Sequence, residues 1–159
     1  MALNQLGTGG TEGVKIPGQH RNVISGVGAT RQLLASEAGS LCLFDAAAGN
    51  VYTLPTPVAG MTFEFLTTVS VTSNAQKTIT KTIASEFIVG SVSEVTIATA
   101  TPAGFSANGT SIVSVSSNGT TTGGLIGSYY RLVAISTTQW GIEGVIVGSG
   151  TIATPFAAS

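Results

Sequence analysis

Hydrophobic and polar positions alternate along this chain in short runs. Met61-Thr62-Phe63-Glu64-Phe65-Leu66 sets Met61, Phe63 and Phe65 on one side and turns Glu64 to the other, the period of a strand with one buried face. Thr78-Ile79-Thr80-Lys81-Thr82-Ile83 alternates as well and is rich in β-branched residues, which suit a pleated surface. Lys77 and Lys81 share the Ile79 side and read as rim charges of a half-exposed face. Ser111-Ile112-Val113-Ser114-Val115-Ser116 predicts another strand. Tyr129 to Ile135 and Trp140 to Val147 predict the last two, joined as a hairpin by Ser136-Thr137-Thr138-Gln139.

Turn chemistry separates these runs. Gly49-Asn50 stands between Leu41–Phe44 and Val51–Leu54, and Ala59-Gly60 precedes the Met61 strand. Asn108-Gly109 and Asn118-Gly119 bracket the strand at Ile112. Asn-Gly is the strongest short hairpin signal, because both central residues of a type I′ turn need positive φ. Pro55 and Pro57 end the strand before them, since proline cannot donate to a ladder. The one helical candidate, Arg31 to Ala38, is short and stops at Gly39. About nine strands over residues 31–148, with no helices between them, predict an all-β fold. The expectation is a single antiparallel β-sandwich or barrel-like domain. Its core should draw on Leu41, Leu43, Phe44, Tyr52, Leu54, Met61, Phe63, Phe65, Ile79, Ile83, Phe87, Ile112, Leu132, Val133, Trp140 and Ile142.

The flanks read differently. Residues 1–30 carry Gly7, Gly9, Gly10, Gly13, Gly18, Gly26 and Gly28, and the break signal Pro17-Gly18. So glycine-rich a segment loses too much backbone entropy to fold alone. Its apolar residues Val14, Ile16, Val23 and Ile24 distinguish it from a merely solvated terminus. It is expected to be an extended arm, able to reach on the order of 100 Å, ordered by lying on a partner through Val14, Ile16, Pro17, Val23 and Ile24. Residues 149–159 are uncharged and include Ile152 and Phe156, which read as contacts of a second, C-terminal strap.

Charge sharpens the picture. Six Lys and Arg and seven Asp and Glu make only 8% of the chain, against about 25% in an ordinary globular domain. None lies between Glu94 and Arg131. Surface charge keeps diffusing proteins apart, so a chain that gives it up is expected to be covered by other subunits. With 43% apolar residues and a net charge of −1 it is not a disordered chain. Leu41–Phe44, Phe87–Val89 and Val145–Val147 are far short of the roughly 20 apolar residues of a membrane span. Balanced, scattered charge argues against nucleic acid. The first 25 residues have no basic stretch followed by an apolar block, so synthesis in a cytoplasm without export by the standard route is expected. The lone Cys42, in Leu41-Cys42-Leu43-Phe44, reads as a small buried residue.

Chemistry is sparse. His20 is the single histidine, Asp45 the single aspartate, and no carboxylates pair at a spacing suited to acid–base work. Neither a Gly-x-Ser-x-Gly elbow nor a zinc-binding set is present. Gly7-Thr8-Gly9-Gly10-Thr11-Glu12-Gly13 lacks the Gly-Lys-Ser/Thr ending of a phosphate loop. Tyr129, Tyr130 and Trp140 read either as a sugar-stacking platform or, more simply, as core and cross-strand aromatic pairs. No catalytic residue, cofactor, metal or small-molecule substrate is expected.

Three segments carry a resemblance. They are Ser40-Leu41-Cys42-Leu43-Phe44-Asp45-Ala46-Ala47-Ala48-Gly49, then Tyr52-Thr53-Leu54-Pro55, then Gly60-Met61-Thr62-Phe63-Glu64-Phe65. With Gly124 and Thr138-Gln139-Trp140 they resemble bacteriophage virion proteins over residues 31–147, in particular the head decoration (cement) proteins of tailed phages. That resemblance implies a small β-rich subunit, often a homotrimer, on the exterior of the virion capsid. There it would bind the major capsid protein and brace coat subunits. The pattern also occurs in tail-fibre and head-fibre proteins. This leaves as alternative a fibre or spike module that binds host surface glycan near Tyr129, Tyr130 and Thr120 to Thr122.

Overall fold

The alternating runs become strands, but strands that trade sheets at almost every step. The computed structural model describes residues 21–73, 75–98 and 101–159. Its strands are β1 (Val23–Ile24), β2 (Thr30–Gln32), β3 (Leu41–Phe44), β4 (Val51–Thr53), β5 (Thr62–Thr67) and β6 (Gln76–Ile79). They continue as β7 (Phe87–Thr96), β8 (Ala103–Asn108), β9 (Ser114–Ser117), β10 (Tyr129–Ala134), β11 (Gln139–Gly148) and β12 (Phe156–Ala157). Among the described residues the helical candidate is reduced to a 3-10 turn, Ala35–Glu37. One sheet has seven strands in the order β1-β3-β5-β10-β11-β7-β8; the other has five, β12-β9-β6-β4-β2.

The fold is all-β, as the alternation predicts, but both sheets are mixed rather than antiparallel. β1, β3 and β5 are parallel neighbours, as are β2, β4 and β6. The first six strands therefore form three rungs of a flattened coil that crosses between the sheets at each half-turn. β7 and β11 are also parallel, while β5·β10, β10·β11, β7·β8, β6·β9 and β9·β12 are antiparallel. The misreading has a physical cause. Parallel strands are usually buried on both faces and read as continuous apolar runs. Here each rung has one outward face, so β3 and β5 alternate as antiparallel strands do. The registers Val23↔Leu41 and Leu41↔Glu64 step by unequal amounts, so no constant period marks the coil in the sequence.

Between the sheets lies an aromatic cluster. Phe44 and Phe65 stack at 5.8 Å, Phe65 and Tyr130 at 5.1 Å, and Tyr52 of the facing sheet meets Phe44 edge-on at 5.3 Å. Each such burial contributes about 1.5–3 kcal/mol. Two hydroxyls anchor the cluster. Tyr52 Oη donates to the Leu43 carbonyl at 2.8 Å, and Tyr130 Oη lies 2.7 Å from Thr78 Oγ1 across the sandwich. Trp140, Leu132, Phe63 and Ile142 extend the core, as expected. Other core expectations need correction. In β3 the inward residues are Cys42 and Phe44, while Leu41 and Leu43 face out. In β6 the inward residues are Gln76 and Thr78, and Ile79 is only half-buried. β6 also ends before the predicted Ile83, which is 54% exposed. The chain turns there because Glu86 Oε2 accepts the Lys81 and Thr82 N–H groups.

Each rung must turn from one sheet to the other, and the Gly49-Asn50 corner shows how its backbone is satisfied. Asn50 is fully buried. Its Oδ1 accepts the Asp45 and Ala46 N–H groups, its Nδ2 donates to the Gly28 carbonyl at 2.7 Å, and its own carbonyl accepts from Lys77 N. One residue thus ties three rungs together, two through its side chain and the third through its backbone carbonyl. Gly49 has φ +89°, and a Cβ there would lie 2.5 Å from the Ala75 carbonyl carbon, so only glycine admits the neighbouring rung. Thr68, Thr72 and Ser73 hydroxyls donate to the carbonyls of Phe44, Ala47 and Ala48.

The two Asn-Gly pairs are corners as well, not type I′ hairpins. Neither asparagine has positive φ. Asn108 Oδ1 accepts from Thr110 and Ser111 N–H, and Asn118 Oδ1 from Thr120, Thr121 and Thr122 N–H, side-chain turns that need no left-handed asparagine. Replacing Asn50 by Ala strands several buried backbone groups at once. Asn50→Ala should lower stability by about 2–4 kcal/mol, read as a lower urea midpoint with an unchanged slope. A loss below about 0.5 kcal/mol would show that the corner is held by other means.

Candidate functional site

The outer face of the seven-stranded sheet collects much of the chain's charge. The ladders set Leu41, Glu64, Arg131 and Glu143 side by side across β3, β5, β10 and β11. Arg21 Nη1 reaches Glu64 Oε1 at 2.5 Å, and the Tyr129 hydroxyl donates to Glu64 Oε2 at 2.7 Å. Arg131 Nη1 lies 3.3 Å from Glu143 Oε1. Burial pushes the Glu64 carboxyl up, but the Arg21 and Tyr129 hydrogen bonds and the charges of Arg21 and Arg131 outweigh it, holding the group below the usual carboxylate value. Burial and the Glu64 charge push Tyr129 up to about 12. The next row is apolar: Leu43, Leu66, Tyr129 and the 47%-exposed Val145. Glu64 and Glu143 thus face outward, as the alternation around Phe63, Phe65 and Trp140 requires.

The two ends of the sandwich are where apolar side chains are most exposed. At the end where β5, β7 and β11 finish, Ile97 is 75% and Ile126 63% exposed, with Val69 nearby in the chain's corner after β5. Backbone bonds fix these segments: Leu125 N–H to the Val147 carbonyl, Ile97 N–H to the Gly148 carbonyl, Gly127 N–H to the Thr67 carbonyl. A cavity of about 540 Å³ opens there, lined among the described residues by Ala98, Gly150, Thr151 and Ile152. This end is built largely from the stretch between Glu94 and Arg131 that carries no charge. The opposite end exposes Leu34, Val58, Ile83 and Ile135.

The residues expected to dock on a partner fall in different places. Val14, Ile16, Pro17 and His20 lie outside the described residues. Val23 is 49% exposed beside Leu41 on the outer sheet face. Ile24 points the other way into the core, and β1 and β2 pair with β3 and β4 in the chain's own sheets. Ile152 lines the cavity at the uncharged end. Phe156 is buried and its strand pairs with β9, while the Ser159 carbonyl accepts from Lys77 Nζ and Ser114 Oγ. The last residues thus close on the chain's own five-stranded sheet. A two-residue strand is a weak sequence signal, which is why Ile24 and Phe156 read as free for a partner.

The aromatic platform does not form. Trp140 and Tyr130 are buried, and the Tyr129 hydroxyl is held by Glu64. Cys42 is fully buried, and burial pushes its thiol up to about 12. Among the described residues no three His, Cys, Asp or Glu side chains gather as a metal site, and no helix is long and apolar enough to cross a membrane. Glu94 escaped the sequence reading. The alternation Ile88, Gly90, Val92, Glu94 puts it on the buried face of β7, and that parity was the signal available. No protein-family model, curated protein or solved structure matches the chain.

The depressed carboxyl of Glu64 predicts a pH effect. A group whose pKa falls on folding stabilises above its unfolded value and loses that contribution as pH drops through its folded value. Glu64 should titrate below the 4.5 of an unperturbed glutamate, and Arg21→Ala should move it upward in a carboxyl-carbon NMR titration. Glu64→Gln should flatten the acid limb of the stability curve. An unmoved Glu64 in the Arg21 variant would mean that the ion pair does not persist in solution.

Proposed function

We propose that the chain is a structural virion protein that binds the outside of a phage capsid, as a homotrimer, and stabilises it by bridging subunits of the major capsid protein. The observation that carries this reading is the uncharged end with its exposed Ile97 and Ile126. Apolar surface left in water favours association by about 25 cal/mol per Å² once covered, and the stretch that carries Ile97 and Ile126 has no charge of its own to desolvate, Asp45 standing at the same end after β3. The Arg21–Glu64 pair fixes Arg21 on the outer face of the seven-stranded sheet, and the segment before it is proposed as a second attachment. A subunit held both by that segment and by its end is attached at two points. Linked attachments act at high effective concentration, and three in a trimer act more strongly still. The resemblance of the Asp45-to-Gly49, Tyr52-to-Pro55 and Gly60-to-Phe65 segments to decoration proteins supports the same reading. Of the residues named for the glycan-binding alternative, Tyr130 is spent on the core, while Tyr129 is half-buried and Thr120 exposed.

Co-sedimentation with capsids that lack the protein tests this. The full chain should bind saturably. The double variant Ile97→Asp/Ile126→Asp should bind at least about tenfold more weakly, a loss of roughly 1.4 kcal/mol or more, with an unchanged melting temperature. A chain begun at Arg21 should also bind more weakly; cutting further, to residue 28, would remove Ile24 from the core and confuse folding with binding. Failure of the full chain to bind, with specific recognition on a glycan array, would replace this reading by the fibre module.

A further inference from the structure

Glu94 is a carboxyl in the wrong place for a charge. It sits in β7 with 0% exposure, facing inward between Ile146 of β11 and Ala103 of β8. Its Oε1 accepts one hydrogen bond, from the Gly123 N–H at 2.9 Å, and its Oε2 has no partner among the described residues. The space it occupies is made for it. A Cβ on Gly148 would lie 2.6 Å from Oε1 and 2.7 Å from the Thr120 carbonyl, so any larger residue there would drive the carboxyl and the 118–128 segment apart.

That segment, residues 118–128, crosses from β9 in one sheet to β10 in the other. It is otherwise held by neutral bonds: Asn118 Oδ1 to three N–H groups, Ser128 Oγ to the Gly124 and Val147 N–H groups, and the Thr120 carbonyl to the Ser149 and Gly150 N–H groups. Among the described residues no opposite charge compensates Glu94. β8, β9, β12 and the 118–128 segment contain no titratable side chain; β11 contains Glu143, which faces outward to Arg131. β10 turns Tyr130 inward, hydrogen-bonded to Thr78, and Arg131 outward.

We propose that Glu94 is a proton-operated latch on the 118–128 crossover, closed while the carboxyl is neutral and released when it ionises. The neutral acid tolerates an apolar wall and a single donor. The carboxylate needs its second oxygen solvated, and water reaches it only if the crossover lifts away from β7 and β11. Burial, opposed only by the Gly123 hydrogen bond, pushes the group up to about 7. A pKa raised on folding stabilises the closed form below the unfolded value near 4.5, a contribution lost as pH rises through about 7. The crossover carries Ile126 at the uncharged end, so release would remodel that surface. The inference does not rest on the proposed function.

Amide hydrogen exchange, corrected for the intrinsic rate, reads the latch directly. Between about pH 5 and 7 the opening constant at Gly123 and Leu125 should rise by about tenfold per pH unit, and it should level off above about 7. Glu94→Gln should hold the change to under about twofold while amides of β5 keep their protection. Protection in the wild type that does not vary with pH, or a variant that keeps the wild-type response, overturns the latch. Should the variant not fold, carboxyl-carbon titration of the wild-type chain decides: a midpoint near 7 supports the latch, and one near 4.5 overturns it.

Discussion

A parallel pair of strands cannot be closed by a tight turn, and that constraint organises this molecule. To lay β3 beside β1 and β5 beside β3, the chain must leave one sheet, run through the other and return. Every return exposes backbone N–H and C=O groups at a corner wedged between neighbouring rungs. Those groups are obligatory hydrogen-bonding groups and cannot be buried unpaired. Asn50, buried between the rungs, takes up groups from two of them with its side chain and from the third with its carbonyl. Thr68, Thr72 and Ser73 do the same between the second and third. The corners then hold β3, β4 and β5 in the register that stacks Phe44, Tyr52 and Phe65.

The same constraint bears on the low charge. A corner amide or hydroxyl satisfies backbone without the desolvation cost of an ion. Ser40, Asn50, Gln76, Thr78, Ser114, Ser117 and Ser128 are all buried, so much of the Ser, Thr and Asn content serves the interior. Part of the missing charge is therefore architecture. What architecture does not account for is the outer end, where Ile97 and Ile126 stand in solvent. That residue of unexplained apolar surface is what an assembly partner would cover.

Glu94 is the exception that tests the rule. Where the Gly49-Asn50 corner is pinned by a neutral amide and the turn after β6 by a carboxyl with two N–H donors, the 118–128 crossover leans on a carboxyl with one donor and, among the described residues, no counter-ion. Ion pairs lie nearer the surface, Arg21 with Glu64, Arg131 with Glu143 and Arg31 with Glu37, while the buried Glu86 is held by two backbone N–H groups. A buried carboxyl pushed toward neutrality belongs where its protonation changes something.

Alternation by itself determined that the chain is all-β, which residues of β5 and β11 face inward, and that Glu64 and Glu143 face out; in β10 it left Leu132 and Val133 both expected in the core, where only Leu132 is buried. These are local facts, set by the two-residue period of a strand. Gly49-Asn50 and the Asn-Gly pairs marked corners, because glycine and asparagine are the residues a sharp change of direction requires. Only the tertiary structure decided that the first six strands coil in parallel, because a half-exposed parallel strand carries the same pattern as an antiparallel one. It alone assigned Ile24 and Phe156 to the chain's own core rather than to a partner, since strands of two residues gain their meaning from the ladder they join. And it alone gathered Ile97, Ile126 and Ile152 at one end and set Glu94 beneath it, because crossovers far apart in sequence meet only once the sheets have closed.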